Sequence, residues 1–457
     1  MYSVCRSIVS SMVCVSVLAC AKHPPDEGEG SVTWYVDDLD DGATGSGSSD
    51  DPFRQLQTAI DSAASGDRIV LEEGTHLAEP TESVDPTCGN CDDGDFRTDI
   101  AITVGFLVEG KALDIEGVSR EGTILQTGAG YGLYFVDAGT SSVRNLTVTG
   151  GIRDADGQAT DAAIVVKYTA LTVEDVDIIE NNDLYAGEPD PVVGVMGITG
   201  REGADLTVSG CRVLDNSWDG ITLYRSDPDV EGSTPRALIV GNTIGCTQDC
   251  IDPNGRGVGI GVTWDAEAEI INNEVHDYWK GIGSFGTSQV VVTNNIVRDQ
   301  VGWGVVATGE SWTEVVNNVI IHNGTTGLSA WDSSASGRFV NNIVTDNGWY
   351  SSEWVGKKTG VWMNSDNFEL AYNDVWDNEE EDVCTGGVPG GSACTALSFE
   401  GEDGNVSLDP DFADEQTYAL SDDSPLLDAG SPDIVDTDGS VSDIGAHGGP
   451  DAGRVSP

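Results

Sequence analysis

The sequence predicts an all-β solenoid of about ten stacked coils, closed at its start by a short cap helix, and three observations carry that prediction. First, one phrase recurs five times with altered spelling: IINNEVHD, VVTNNIVRD, VVNNVIIHN, FVNNIVTDN and LAYNDVWDN. Its second asparagine falls at Asn273, Asn295, Asn318, Asn342 and Asn373, in steps of 22, 23, 24 and 31 residues. Second, a glycine followed by an aliphatic residue keeps the same time, at Gly259-Ile260, Gly281-Ile282, Gly304-Val305, Gly327-Leu328 and Gly360-Val361. Third, apolar and polar residues alternate with period two, as in Val290, Val292, Asn295 and Val297, and the run breaks at Gly or Asn within a few residues. Short period-two runs are strands, and a fixed short repeat means units that bury their apolar faces only by stacking.

A coil of about 22 residues leaves room for three short strands and three turns, not for a helix. Coils of this length and spelling resemble the right-handed parallel β-helix, the fold of the pectin-lyase superfamily, over most of the chain. Stepping upstream in phase, the asparagine column is held by Asn242, Cys211, Val176 and Leu146. A position that accepts Leu, Val and Cys faces inward. Asn242, Asn273, Asn295, Asn318, Asn342 and Asn373 are therefore expected to form an internal ladder, each amide bonding to the coils about 4.8 Å above and below.

Taken in order, residues 1–19 carry Arg6 and then the apolar run IVSSMVCVSVLA, which is too short to span a bilayer and has the layout of an export signal. Val17-Leu18-Ala19-Cys20 resembles a bacterial lipobox, with Cys20 the lipidated residue and 20–32 a flexible tether. That resemblance implies an outer-membrane or cell-surface lipoprotein, held to the membrane only through its lipid. Residues 33–68 combine a strand, an acidic Gly/Ser loop and an amphipathic helix built on Phe53, Leu56, Ala59, Ile60 and Ala63, followed by SGDRIVLEEGTH. This is similar to the N-terminal segment of bacterial β-helix proteins, where the helix lids the open coil. The coils are expected over 69–378. Residues 379–457, with the turns DPDF, SPLLDAG and SDIGAHGGP, resemble the irregular closing segment of the same proteins. Within it Asp433, Asp436, Asp438 and Asp443 read as a calcium turn or a simple acidic turn.

Cysteine usage agrees with export. Beyond the signal, Cys20 and the column residue Cys211, the remaining six form close pairs, Cys88 with Cys91, Cys246 with Cys250 and Cys384 with Cys394. Three local disulfides account for them, with zinc the competing reading for CGNC. Asp and Glu total 78 against 21 Lys and Arg, a net charge of -57. That charge excludes nucleic acid as a partner on electrostatic grounds. A polyuronate would also be repelled unless a cation bridges it to the protein, and Ca2+ is the natural bridge.

If the residue after each marker glycine points inward, the fourth after the glycine points out. That outward column reads Val136, Lys167, Arg201, Tyr224, Thr263, Phe285, Thr308, Trp331 and Asn364. Several β-helix lyases of the resembled superfamily use a lysine to take the proton next to a uronate carboxyl group, with an arginine nearby. The resemblance in kind points to Lys167 as base, with Arg201 or Arg225 neutralising substrate charge and Lys280 as second choice. Tyr224, Phe285 and Trp331, with Trp279 and Trp303 beside them, would stack on sugars. The insertion 151–161 holds Asp154, Asp156 and Asp161 as the candidate calcium ligands. Alginate epimerases of this fold carry Asp-Pro-His and an acid, and the nearest string here, Ile251-Asp252-Pro253-Asn254-Gly255, lacks both the histidine and the acid. No carboxylate pair stands where polygalacturonases hold theirs. The expected function is binding, and cleavage by β-elimination, of an acidic polysaccharide by a monomer. The alternative is a non-catalytic surface or adhesion rod.

Overall fold

A computed structural model describes residues 31–39, 43–182, 194–247, 257–350, 357–387 and 394–457. Successive coils pair strictly in parallel. On one face, which we term the first, Val262, Ser284, Ala307, Ala330 and Met363 lie in one register. On the second face Ile270, Val292, Val315, Phe339 and Leu370 do the same. Among the described residues the third face is a sheet of 11 three- or four-residue strands, in keeping with about ten coils. No helix among the described residues is long and apolar enough to cross a membrane.

The marker glycines sit where consecutive coils come closest. A Cβ on Gly281 would lie 2.6 Å from the carbonyl oxygen of Gly304, and one on Gly304 equally close to that of Gly327. The next residues, Ile260, Ile282, Val305, Leu328 and Val361, all point into the core. At the start, the helix Leu56–Ser62 buries Leu56, Ala59 and Ile60 against that core.

The asparagine column faces inward as the repeat demands. Asn295 shows the pattern. Its backbone N–H and its Nδ2 both donate to Asn318 Oδ1, at 2.8 and 3.0 Å, and Nδ2 also donates to the carbonyls of Ile270 and Thr293. Its own Oδ1 accepts from Asn273 in the same way. At the upstream end Cys211 keeps the geometry with a weaker donor, its thiol directed to the carbonyls of Val173 and Ser209 while its N–H donates to Asn242 Oδ1. Downstream the ladder gains Asn405, which accepts from Asn373.

Five residues further on runs a second ladder that the repeat phrase spells but the reading above leaves unused. Gln300, Asn323, Asn347 and Asn378 are linked amide to amide and end on Asp382. In the four phrases that carry an Asn-Asn pair, its first asparagine has a third task. Asn272, Asn294, Asn317 and Asn341 adopt φ between 52° and 59°, the left-handed region that asparagine tolerates. Their side chains point outward and hold the C-terminal segment, which runs back across the coils. Asn341 Oδ1 accepts the Ser431 N–H, Asn317 Nδ2 donates to Asp443, Asn294 Nδ2 to Ala446 and Gly448, and Asn272 Nδ2 to Asp451. Leu426, Ile444 and Ala446 pack with Val319 and Ile343 beneath the same segment. The closing residues are thus a lateral strap as well as an end cap.

These amide roles separate experimentally. Asn318→Ala strands the Asn295 donors and the carbonyls of Val292 and Val316, and should cost about 3 kcal/mol or more in denaturant unfolding. Asn294→Ala leaves the ladder intact and should cost about 1–2 kcal/mol, while making the C-terminal strap the first site of limited proteolysis.

Candidate functional site

The outward column has the register that the repeat implies. Val136 pairs with Lys167 and Lys167 with Arg201. The column then continues through the neighbours Leu223, Val262, Ser284, Ala307, Ala330 and Met363, so that Tyr224, Thr263, Phe285, Thr308, Trp331 and Asn364 follow on the same wall. Lys167 and Trp331 therefore share one face.

They do not share one groove. Strand Thr81–Asp85 pairs antiparallel with Ile100–Glu109, and the link between them, closed by the Cys88–Cys91 disulfide, folds over the first face. Beneath it Lys167 is 3% and Arg201 1% exposed. Lys167 Nζ donates to Asp85 Oδ1 and Thr87 Oγ1, both at 2.7 Å, and lies 3.3 Å from Glu202. Arg201 pairs with Glu202 at 2.8 Å and Asp85 at 3.3 Å, and donates to the Thr87 carbonyl and the Thr160 hydroxyl. Two cations and two carboxylates cancel in a sealed compartment. Burial alone would raise the Asp85 pKa, but the charges of Arg201 and Lys167 outweigh it and hold the carboxyl at about 2. Gly89 rests on the Arg201 guanidinium, where a Cβ would lie 2.7 Å from its central carbon. Lys167 and Arg201 thus fasten the roof and have no path to a polymer, which corrects their assignment as base and charge neutraliser.

Arg225 is a fastener too. It is buried, donates to the Cys91 carbonyl, and lies over the rings of Phe96 and Trp264 at 5.0 and 4.5 Å. Tyr224 is buried with its hydroxyl turned to the Met196 sulfur, so neither residue offers a substrate contact. Sequence reasoning had no handle on Asp85 and Glu202, the two carboxylates that decide this half of the face.

Further along, the face opens. Trp279, Trp303, Trp331 and Trp362 form one array with successive ring centroids 5.5, 5.1 and 5.3 Å apart. Trp303 and Trp362 are buried, whereas Trp279, Trp331 and Phe285 are partly exposed. Lys280 lies with Nζ 5.5 Å from the Trp303 centroid; its backbone N–H donates to the Gly257 carbonyl, and among the described residues its ammonium makes no hydrogen bond or ion pair. Burial lowers its pKa, against the opposing pull of Asp219. Asp219 is buried and influences it only through its charge; its carboxylate accepts the Val258 N–H and the Thr222 hydroxyl, and burial pushes its pKa up to about 6.

Of the three expected calcium ligands, Asp154 and Asp161 come together against Gly130, while Asp156 turns to other partners. Asp154 accepts from the N–H and hydroxyl of Thr103, Asp156 from the N–H groups of Ala101 and Gln158, and Asp161 from Arg153, which occupies the place a cation would take. Burial, reinforced by Asp154, moves Asp161 up to about 7 although Arg153 opposes it. Among the described residues no group of three or more His, Cys, Asp or Glu is placed to hold a metal ion. In the strap, Asp436 accepts from the Asp443 and Gly449 N–H groups and Asp438 from Ser440, so that segment is a set of acidic turns. The Cys88–Cys91 and Cys384–Cys394 disulfides are formed, so CGNC is not a zinc site. Cys246 is also disulfide-bonded, and its expected partner Cys250 lies outside the described residues, as do Cys20 and the string 251–255.

Comparison with known proteins agrees with the fold. A family profile described as right handed beta helix region matches residues 238–375. Among solved structures, the pectate lyase Pel9A superposes with TM-score 0.50 and 18% identity over 92% of this chain and 96% of its own. The A-module of the mannuronan C-5 epimerase AlgE4 from Azotobacter vinelandii gives 0.41 and 14% over 77% and 91%, respectively. No curated protein matches by sequence. The chain is a right-handed parallel β-helix protein, and at these identities the likeness is one of fold.

The buried network makes a definite prediction. Lys167→Met leaves Asp85 and Glu202 undercompensated and should cost roughly 3–5 kcal/mol in urea unfolding. The folded Asp85 pKa lies below its ordinary 3.8, so its contribution is present above about pH 4 and lost as pH falls through about 2. The stability gap between wild type and Asp85→Asn should therefore close over that acid range.

Proposed function

We propose that the protein binds a linear acidic polysaccharide along the open part of the first face and cleaves it by β-elimination, with Lys280 as the base. One observation carries the reading: a half-buried ammonium with no ion-paired carboxylate among the described residues, seated against a tryptophan array, with its pKa lowered by burial. β-Elimination needs a base to take the proton from the carbon bearing the uronate carboxylate. The electron pair of that C–H bond becomes a C=C bond, and the C–O bond to the departing sugar breaks with its electron pair going to the sugar oxygen, which takes a proton from water to leave as a hydroxyl. A lysine serves only as the neutral amine, and loss of hydration makes that form accessible at a lower pH than in water. Trp331 and Phe285 supply flat apolar surfaces for the sugars.

Lys280 is one local cation in a chain of net charge -57, so a polyanion approaches against a repulsive field. Screening favours binding here. The disulfides suit an oxidising compartment, which supports export of the chain. The Lys167 and Arg201 fastening favours a second reading, a polysaccharide-binding rod without catalysis, because the outward charges nearest the N-terminal end are structural.

Incubation with a panel of polyuronates, followed by the absorbance of an unsaturated sugar end, separates the two. Wild type should form product with a rate that rises with pH, its midpoint below the ordinary lysine value of 10.5. Lys280→Arg keeps the charge but cannot serve as a base, so it should bind and form no product. Product from Lys280→Arg would remove the assigned base; binding without product from wild type would leave the rod. Affinity should also tighten as salt rises from about 10 mM to about 150 mM, as repulsion is screened.

A further inference from the structure

We infer that the polymer accepted by this face is a 1,4-diequatorially linked uronan, a flat ribbon that repeats every two sugars. The inference rests on the polysaccharide reading above and names its substrate class. Its ground is the alternation of the outward column: Tyr224, Thr263, Phe285, Thr308, Trp331, Asn364, a ring on every second coil. Each residue belongs to its own coil, since the N–H groups of Phe285, Thr308, Trp331 and Asn364 donate to Val262, Ser284, Ala307 and Ala330 of the coil before. Coils repeat at about 4.8 Å, so the Phe285 and Trp331 positions stand about 9.6 Å apart.

The outward column carries only Thr308 between the two rings, and the Trp303 ring beside it is buried. Gly283 lies under the Phe285 ring, where a Cβ would sit 2.3 Å from it, so glycine lets the ring lie down on the sheet. On the coils between and beyond, the Thr263 hydroxyl donates to the Leu223 carbonyl and the Asn364 amide to the Trp331 carbonyl. Diequatorial 1,4 linkages extend a pyranose chain to nearly one coil spacing per sugar and turn each sugar over relative to the last. Equivalent faces then recur every second sugar, in step with the rings. Diaxial 1,4 linkages shorten the rise and buckle the chain, so equivalent faces fall out of step. Tyr224 is roofed over, so the open part of this column has two rings, with Trp279 partly exposed beside it, and the shortest chain to bridge Phe285 and Trp331 is three sugars.

The test measures binding of size-defined oligomers by calorimetry. The diequatorial probes are β-1,4-linked polyglucuronate and polymannuronate, and the diaxial ones polygalacturonate and polyguluronate. The diequatorial tetramers should bind at least tenfold more tightly than the diaxial ones and than their own dimers. Phe285→Ala or Trp331→Ala, each verified as folded by its unfolding transition, should erase the preference, and Trp331→Phe should restore it. Equal affinities, a diaxial preference, or a preference that survives both alanine variants would overturn the two-sugar spacing while leaving polysaccharide binding in place. Absence of binding to every polymer, in contrast, would remove the reading on which it rests.

Discussion

Everything in this molecule depends on one constraint: a coil that turns three times within about 22 residues must pair every buried amide it creates at the turn. The inward asparagine solves this by being donor and acceptor at once. Its Oδ1 takes two N–H groups from the coil before, and its Nδ2 reaches two carbonyls as well as the next Oδ1, as at Asn318. The solution requires the same residue at the same place in the next coil. Hence the repeat is legible, and hence it fixes register. A slip by one residue would bring Val291 or Thr293 to the place of Val292 and Ile296 or Arg298 to that of Val297, and would turn the core residues outward.

Fold and register were therefore open to the sequence, and so was the shared wall of Lys167 and Trp331, because each depends on contacts between adjacent coils. The roof was not. Lys167 meets Asp85 across 82 residues, and the strand carrying Asp85 belongs to an excursion with no repeat to fix its direction. The disulfide in CGNC was visible, but not that Gly89 would settle on the Arg201 guanidinium. The strap shows the same limit. Its turns are recognisable, yet the partners of Ser431 and Asp443 are outward asparagines about a hundred residues upstream, and those look in the sequence like the inward ones beside them.

The paired asparagines divide labour by backbone geometry alone. In each NN pair the first residue has positive φ and turns its amide out to the strap, while the second turns in to the ladder. Core stacking and lateral bracing are thus built from one dipeptide. Substituting the first residue affects mainly the strap, and substituting the second affects the stack.

The contrast between Lys167 and Lys280 shows how far an insertion can change the chemistry of a repeated wall. Both lysines rise from the first face, Lys167 buried and Lys280 half-buried. Lys167 donates to the Asp85 carboxylate and the Thr87 hydroxyl and pairs with Glu202. Lys280 meets the face of Trp303 and feels Asp219 only at a distance, so the loss of hydration is not repaid and its ammonium is weakened. The same desolvation yields a structural clamp in one coil and a candidate base in another. What differs is whether an excursion delivers counter-charge, and residues 81–99 deliver it only to the N-terminal half.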